Sequence, residues 1–501
     1  MVFPGSPKGW VFPGDPGVPR TLAPTRWNNF GPRIGLAYAI GDHDGFLGKV
    51  FGKAGASSIR AGYTLGYSSL EGATDFNEIG DAPFGNYTGQ AEPTFAAPFT
   101  NRASGTSLKN LFPVAPPPKH FSAKNPASGA PYDTLAEFFT AFGTISSSPA
   151  FNNKNQLPYA QNYELSLQRQ ITGSDLITLS YVGTQGHRLL SSVSANPGNP
   201  ALCLSLSQTS EVAPGSPTCG PGGENNIYTT AAGTQVLTTR SPFSGTVDPT
   251  LGAITTFGND SYFITEGWSN YNSAQINYRH TSGSLQLLLG YTYSKAMDDS
   301  SGYGEQFNPV NSYLSRGLAG FDSTHNFVVS YNYILPFDRF GGPKQLTNGW
   351  AISGITRFET GLPVTMVDTS DNSLLGTSFG GPIILPVDTP NQVGPLRILN
   401  PRNSTSHDYF DPTAFASPSI GSEGNARRRF FHGPGANNFD MALVKDTKLS
   451  ELFNLQFRAE WFNLFNHAQF ITPSGILTSS FAQVTQAAAP RIGQVSLKLS
   501  F

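Results

Sequence analysis

The chain ends on Gln494-Val495-Ser496-Leu497-Lys498-Leu499-Ser500-Phe501, a stretch in which polar and apolar side chains alternate without a slip. Strict period-two alternation describes a strand with two different faces, because successive side chains point to opposite sides of a sheet. A free C-terminus within such a strand exposes a row of unpaired N–H and C=O groups. Soluble proteins blunt such edges, and closed barrels remove them by pairing the last strand with the first. The fold therefore depends on whether the same alternation runs through the rest of the chain.

Walking backwards, it does. Leu455, Phe457, Ala459 and Trp461 alternate with Gln456, Arg458 and Glu460, and a turn at 445–454 separates them from Phe439, Met441 and Leu443, which alternate with Asp440, Ala442 and Val444. Trp350, Ile352, Gly354, Thr356 and Phe358 oppose Ala351, Ser353, Ile355 and Arg357, and Phe327 to Leu335 reads the same way. The clearest hairpin runs from Tyr271 to Tyr293 through the Gly-containing turn His280-Thr281-Ser282-Gly283, a strong hairpin signal. Further pairs are Tyr163 to Gln168 with Ile177 to Tyr181, and Ile34 to Tyr38 with Ile59 to Tyr67. The reading is all-β: an antiparallel transmembrane barrel with about twelve strands present.

The connections sort by length. With Phe501 on the periplasmic side, alternation makes the segments near 39–57, 170–175, 280–283, 336–349 and 445–454 periplasmic, and each is short. Those near 68–158, 183–270, 294–325, 359–437 and 466–493 become extracellular, and each is long. Short periplasmic turns and long outer loops are the arrangement of outer-membrane barrels, whereas a soluble sandwich has no reason to sort its loops by side.

Composition agrees. The chain has 38% hydrophobic and 13% charged residues, with 54 Gly and 39 Pro, so it is poor in both apolar and charged residues and rich in turn formers. No run of apolar residues is long enough for a helical span. A formal net charge of −2 without a basic stripe excludes nucleic acid as the main partner. Cys203 and Cys219 lie among Pro, Gly, Ser and Thr; in an oxidising compartment they are disulfide candidates, the alternative being two unrelated free thiols.

The residues also carry a family resemblance. Asn28-Asn29-Phe30-Gly31-Pro32-Arg33-Ile34-Gly35, Leu157-Pro158-Tyr159-Ala160-Gln161-Asn162-Tyr163, Tyr181-Val182-Gly183-Thr184-Gln185-Gly186-His187-Arg188 and Phe457-Arg458-Ala459-Glu460-Trp461-Phe462-Asn463 resemble the TonB-dependent receptors with an Oar-like barrel, as do Phe321-Asp322-Ser323-Thr324-His325-Asn326 and Gly433-Pro434-Gly435-Ala436-Asn437-Asn438-Phe439-Asp440. The final strand with its terminal Phe501 looks like the assembly signal of bacterial outer-membrane barrels. The resemblance implies a whole barrel of about twenty-two strands with an internal plug, a signal peptide and a TonB-engaging motif. Met1 opens directly in Pro/Gly-rich sequence, so the expectation is a C-terminal part of that barrel, with 1–27 a partial extracellular loop and 28–501 the strands. The alternative is a complete small barrel.

Candidate chemistry is sparse, and no cofactor and no enzymatic activity are expected. Gly376-Thr377-Ser378-Phe379-Gly380 matches a nucleophile-elbow pattern but sits in a long loop with no amphipathic helix after it, so Ser378 reads as a chance match. Asp42-His43-Asp44-Gly45 lacks the further acidic position of a calcium loop and reads as a solvated turn; Asp298, Asp299 and Glu305 offer oxygen ligands for a cation. Arg427-Arg428-Arg429 reads as a solvated outer rim, with lipopolysaccharide phosphate or an anionic ligand as the functional alternative.

The inward polar row, Gln168, Gln275, Arg279, Arg357, Gln456, Arg458, Glu460 and Lys498, supplies the lumen-facing candidates for solute contact, above all Arg279, Arg357, Arg458 and Glu460. Arg458 and Glu460, two apart on one face, read better as wall support than as ligands. Expected partners are outer-membrane lipid and lipopolysaccharide, the barrel assembly machinery, and the TonB complex through an N-terminal part. The expected function is uptake or binding of a bulky solute, and the rival is a structural or adhesive surface protein without transport.

Overall fold

The computed structural model describes residues 11, 13–21, 25–69, 96–97, 100, 104–105, 150–242, 246–247, 254–255, 261–302, 305–376, 388–403 and 405–501. Eleven strands follow one another in a single antiparallel path: β1 (Arg33–Ala39), β2 (Ser57–Tyr67), β3 (Tyr159–Gln170), β4 (Asp175–Ser194), β5 (Ser261–Ser282), β6 (Leu285–Asp298), β7 (His325–Ile334), β8 (Trp350–Glu359), β9 (Ala436–Lys448), β10 (Asn454–Phe462) and β11 (Ile492–Ser500). Each strand is hydrogen-bonded to its neighbours in sequence, which makes an up-and-down meander. Among the described residues no ladder joins β1 to β11, so these two are the edges of an open sheet. The connections alternate short and long along the whole path, as the sequence indicates.

The β5–β6 turn is tighter than expected. His280, Thr281 and Ser282 belong to β5, and Ser282 pairs directly with Leu285, leaving a two-residue loop. Gly283 occupies its first position at φ 61°, a left-handed conformation that a glycine adopts without the Cβ clash. Asp175 at the start of β4 explains why the ladder persists to this point, since its Oδ1 accepts from Tyr278 Oη at 2.6 Å and lies 2.7 Å from His280 Nδ1.

At the other end, β4 and β5 outrun their expected limits, and the unpaired connection is 195–260 instead of 183–270. The ladder continues past a register irregularity between Ile264 and Trp268. It can do so because Gly267 has no side chain: a Cβ there would lie 2.4 Å from Ser191 Oγ.

Register decides the faces, because residues directly opposite one another share a side, as do residues two apart on one strand. Gln168 lies opposite Thr178 and Thr178 opposite Asn277, from which the row continues through Gly290, Val328, Arg357 and Asn438. Val444, on the same side of β9 as Asn438, pairs with Arg458, and Gln456 pairs with Lys498. All eight residues of the polar row therefore share one face. The opposite face carries Ile59, Leu167, Leu179, Ile276, Tyr291, Phe327 and Phe358 in one continuous row, and Leu499, Leu497 and Val495 at the far edge.

Leu179, Ile276, Val495, Leu497 and Leu499 are all exposed. Burying each such side chain is worth roughly 1.5–3 kcal/mol, and an apolar face of this extent needs a cover. Among the described residues no helix is long and apolar enough to cross a membrane. Aromatic rings gather at both ends of the apolar face: Tyr291, Tyr293 and His325, then Phe358, Phe439 and Phe465, towards the long connections, and Phe337, Phe340 and Trp350 towards the short ones. Two such girdles bracket the hydrocarbon band of transmembrane barrels.

The two faces can be told apart by charge. Ile276→Arg, near mid-strand on the apolar face, is expected to cost assembly on the order of 2–4 kcal/mol, and its neighbour Gln275→Arg much less. Leu287→Arg, closer to the turn, should fall between Ile276→Arg and Gln286→Arg. The fraction of heat-modifiable protein in isolated outer membranes measures this, and equal tolerance on both faces would contradict the register.

Candidate functional site

The long connections build a structure of their own. Segment 360–435, between β8 and β9, and segment 463–491, between β10 and β11, share a core of Val364, Met366, Phe410, Ala414, Phe415, Ala426, Phe431, Phe481 and Ala482. Phe410 is its centre, fully buried and packed edge-on against Phe415, Phe431 and Phe481 at 5.8, 5.2 and 5.2 Å between ring centroids. Edge-to-face contacts of this kind add about 0.5–1.5 kcal/mol each beyond the area buried. The density of Phe in loops otherwise rich in Gly, Pro and Ser was the sequence signal for this core.

Segment 360–435 also reaches two other connections. Its Leu374 packs into a second core with Cys203, Leu206, Val212, Cys219 and Tyr228 from the β4–β5 connection. Cys203 and Cys219 are joined in a disulfide with their Cα atoms 5.2 Å apart. Beside it Arg240 is buried and fully committed, donating to Glu224 Oε1 and Gly376 O at 3.0 Å, to Asn196 O at 2.9 Å and to Asn225 Oδ1 at 2.7 Å.

The third link corrects one expectation. Arg428 and Arg429 are not a solvated rim; they are 3% and 2% exposed. Asp298 and Glu305 are paired with arginine, whereas Asp299 accepts from the Trp268 backbone N–H at 3.2 Å. Arg429 donates to Glu305 Oε1 at 2.6 Å and Oε2 at 2.8 Å, a bidentate fork, and lies 3.6 Å from Asp298 Oδ1. It also donates to Ser301 Oγ and Leu318 O, each at 2.8 Å. Arg428 adds a bond to Glu305 Oε2 at 3.3 Å, and Arg427 stacks over the Tyr313 ring at 4.4 Å. The physical reason is that burying a carboxylate is costly unless a charged, hydrogen-bonding partner is buried with it, and the guanidinium fork matches carboxylate geometry. Nearby, His432 Nε2 lies 2.7 Å from Asp322 Oδ2, a second polar tie between the same two connections.

Electrostatics follow from this packing. Burial pushes Glu305 up, but hydrogen bonds and charge from Arg429, with further charge from Arg428, hold its carboxyl down at about 2. At Asp299 burial prevails, with the neighbouring Asp298 charge adding to it, against the backbone N–H of Trp268, and the group is pushed up to about 6.

Inside the sheet, the polar face forms a groove of about 680 Å³ lined by Arg279, Gln286, Ser330, Asn332, Ser353, Asp440, Arg458 and Glu460, with apolar neighbours such as Leu288 and Ile355. Arg458 and Glu460 are bonded to each other, and Glu460 Oε2 also accepts from Gln494 Nε2 of β11 at 2.5 Å. Asp440 accepts from Asn438 Nδ2 at 2.9 Å and from the Asn463 backbone N–H at 2.8 Å. These charges are held by the wall. Arg357 lies higher and pairs with Glu359 at 3.3 Å. Arg279, exposed and without a hydrogen bond among the described residues, is the cation free to meet something in the groove.

The remaining sequence candidates scatter. Ser378 falls outside the described residues. Gly45 begins a helix at the inner end, and Asp42 accepts from the Ala54 N–H at 2.7 Å, so that segment is structured by the chain itself. Phe501 stands exposed below β11, its ring 6.4 Å from Phe453. Among the described residues no cluster of His, Cys, Asp and Glu is arranged to hold a metal.

The family model for the outer membrane beta barrel domain matches residues 2–494. The chain belongs to that family. This barrel protein is accordingly a component of the cell outer membrane, and its apolar face is its lipid face. Among solved structures, it is similar to the outer membrane transporter YddB from Escherichia coli (10% identity, TM-score 0.39, covering 89% of this chain and 38% of that one). It is also similar to the siderophore receptor PirA from Acinetobacter baumannii (9%, 0.40, 94% and 41%) and to the FrpB iron transporter from Neisseria meningitidis (10%, 0.37, 94% and 39%). The barrel protein thus spans well under half the length of each. No curated protein matches the sequence at a significant level.

Three outcomes are expected. Free-thiol labelling in intact outer membranes should find neither Cys203 nor Cys219 reactive before reduction, and reduction should loosen the β4–β5 connection by about 3 kcal/mol in the chain-entropy treatment. Arg429→Met leaves Glu305 and Asp298 buried without their main partner, at a cost of about 3–5 kcal/mol, visible as protease cleavage of 299–324 in cells whose barrel still assembles. On acidification Glu305, held below its ordinary 4.5, loses its stabilising contribution as pH falls from about 4.5 towards 2. Asp299, held above its ordinary 3.8, acts in the opposite sense and favours the closed structure as pH falls from about 6 to 4. Acid opening of the outer connections should therefore begin only below about pH 4, and Glu305→Gln should reduce it, Asp322, which burial pushes up but His432 holds down, supplying the remainder.

Proposed function

We propose that this barrel protein forms part of the wall and surface cap of a TonB-dependent receptor of the Oar-like kind, taking part in uptake or surface binding of a bulky solute such as a carbohydrate, an oligopeptide or a chelate. The observation that supports this reading is the cap: segment 360–435 is welded to three other long connections by two apolar cores and a buried arginine–carboxylate network, directly above a sheet with one polar face. Loops packed in this way hold a fixed shape, so a ligand that fits them is bound without first ordering a flexible chain. Below the cap, Arg279 is the wall cation best disposed to meet a solute or an internal plug. Energy coupling would require the plug and TonB-engaging segment that the resemblance implies, and Phe501 would serve the assembly machinery.

The adhesive rival has the same wall and cap but no transport. The two separate in the parent bacterium. Deletion of the gene is expected to impair growth on one solute class among polysaccharides, oligopeptides and ferric chelates, and disruption of TonB should give the same defect without adding to it. The full-length gene should restore growth, and Arg279→Ala should restore it only partly. Loss of surface attachment with unchanged growth on every class would move the assignment to the adhesin.

A further inference from the structure

Two of the short inner connections do not hang free below the sheet; they fold back onto its lipid face. Between β7 and β8, a turn of 3-10 helix (Phe337–Phe340) leads into a short helix (Lys344–Thr347). Leu346 O accepts from the Trp350 indole Nε1 at 2.8 Å, and the Phe337 ring stands 6.3 Å from the Trp350 ring. Trp350 belongs to the lipid face, since it lies opposite Lys445, Lys445 opposite Phe457 and Phe457 opposite Leu497. Between β1 and β2, the helix Gly45–Phe51 is held on the same side: Lys49 O accepts from Arg169 Nη2 at 3.2 Å, and Arg169 is two residues from Leu167 on β3.

Cations on a lipid face are costly unless their heads reach polar groups at the interface. Here the β7–β8 connection supplies one of those groups and the inner end of β9 the others. The Lys445 ammonium donates to Asn348 O, to Thr447 Oγ1 at 3.0 Å and to Asp446 O at 3.3 Å, with the Trp350 ring 5.8 Å away. The apolar side chains of the same segments are left uncovered: Phe46 is 77%, Leu47 50%, Phe340 81% and Leu346 68% exposed. Arg339 and Lys344 stand beside them in sequence.

We propose that the Phe337–Thr347 segment and the Gly45–Phe51 helix are interfacial anchors lying in the headgroup layer of the periplasmic leaflet. Phe340, Leu346, Phe46 and Leu47 enter the outermost acyl region, and Arg339 and Lys344 meet lipid phosphates. Phospholipid is the occupant because both segments continue the lipid face downward and because they are separated by β3 to β6; a bilayer surrounds both, whereas one docked protein would have to bridge the strands between. The anchors fix the depth of the sheet in the membrane, a role independent of what the receptor carries.

The test places single cysteines at Phe340, Leu346 and Phe46 in the full-length protein. The native pair is disulfide-bonded, and any cysteine outside this sequence is replaced by serine, so a nitroxide attaches to the new thiol alone. In phosphatidylethanolamine–phosphatidylglycerol vesicles, relaxation by oxygen, which concentrates among acyl chains, is expected to exceed relaxation by a water-soluble nickel chelate several-fold at these sites. The order should reverse at Ser284→Cys, whose two-residue turn is too short to fold outward. Nickel-dominated relaxation at 340 and 346 overturns the proposal; so does protection from both reagents, which marks cover by a protein partner or a second copy. Should a label disturb assembly, the unsubstituted protein is irradiated in vesicles carrying a lipid with a diazirine near the headgroup. Crosslinks in the peptide containing 337–347 are expected, and their absence overturns the proposal equally.

Discussion

Within a bilayer no water is available to satisfy a backbone N–H or C=O, so every such group must find its partner inside the protein. In this chain ladders between sequence neighbours meet that requirement from β1 to β11, the outer edges of those two strands alone staying open among the described residues, and everything else depends on their register. A slip by one residue would carry Arg279, Arg357 and Arg458 to the lipid face and Ile276 and Phe327 to the polar one. The register is held by short means at the inner end: a two-residue turn at Gly283, and Asp175 tied to Tyr278 and His280. At the outer end it is held by the bulk of the cap.

What the sequence makes legible is what local spacing determines. Period-two alternation over Gln456 to Trp461, or Leu285 to Tyr293, needs no knowledge of distant residues, and the polar row read from it shares one face. The ends of β4 and β5 were not legible, because glycines that signal a break in sequence serve instead as points of close approach in the ladder. Arg428 and Arg429 were misjudged for a related reason: three adjacent arginines look solvated, and the carboxylates that bury them lie more than a hundred residues away in sequence. Phe410 and Phe481 lay within segments read only as outer loops; Phe is dense there, but which rings meet is set by long-range packing. The wall is written locally and the cap is written in long-range pairs.

The arginine network illustrates a balance. Pairing buried charges seldom adds much stability over an apolar core of the same volume, yet removing one partner is costly. Arg429, with its bidentate hold on Glu305 and its bonds to Ser301 and Leu318, therefore makes one arrangement of the β6–β7 and β8–β9 connections much better than its alternatives. The apolar cores supply cohesion, and the ion network selects geometry. A surface that presents one fixed contour needs both.

Phe481 completes the core around Phe410, and it lies in the last connection of the chain, directly before β11. Closing a contact across that much chain is slow until the intervening strands are laid down, since loop entropy must be overcome before the contact is made. The core around Phe410 can therefore close only after β9 and β10 are in place. The cohesion of the outer surface thus depends on the segment that joins β10 to β11, so a contact far along the chain fixes the shape of loops laid down long before it.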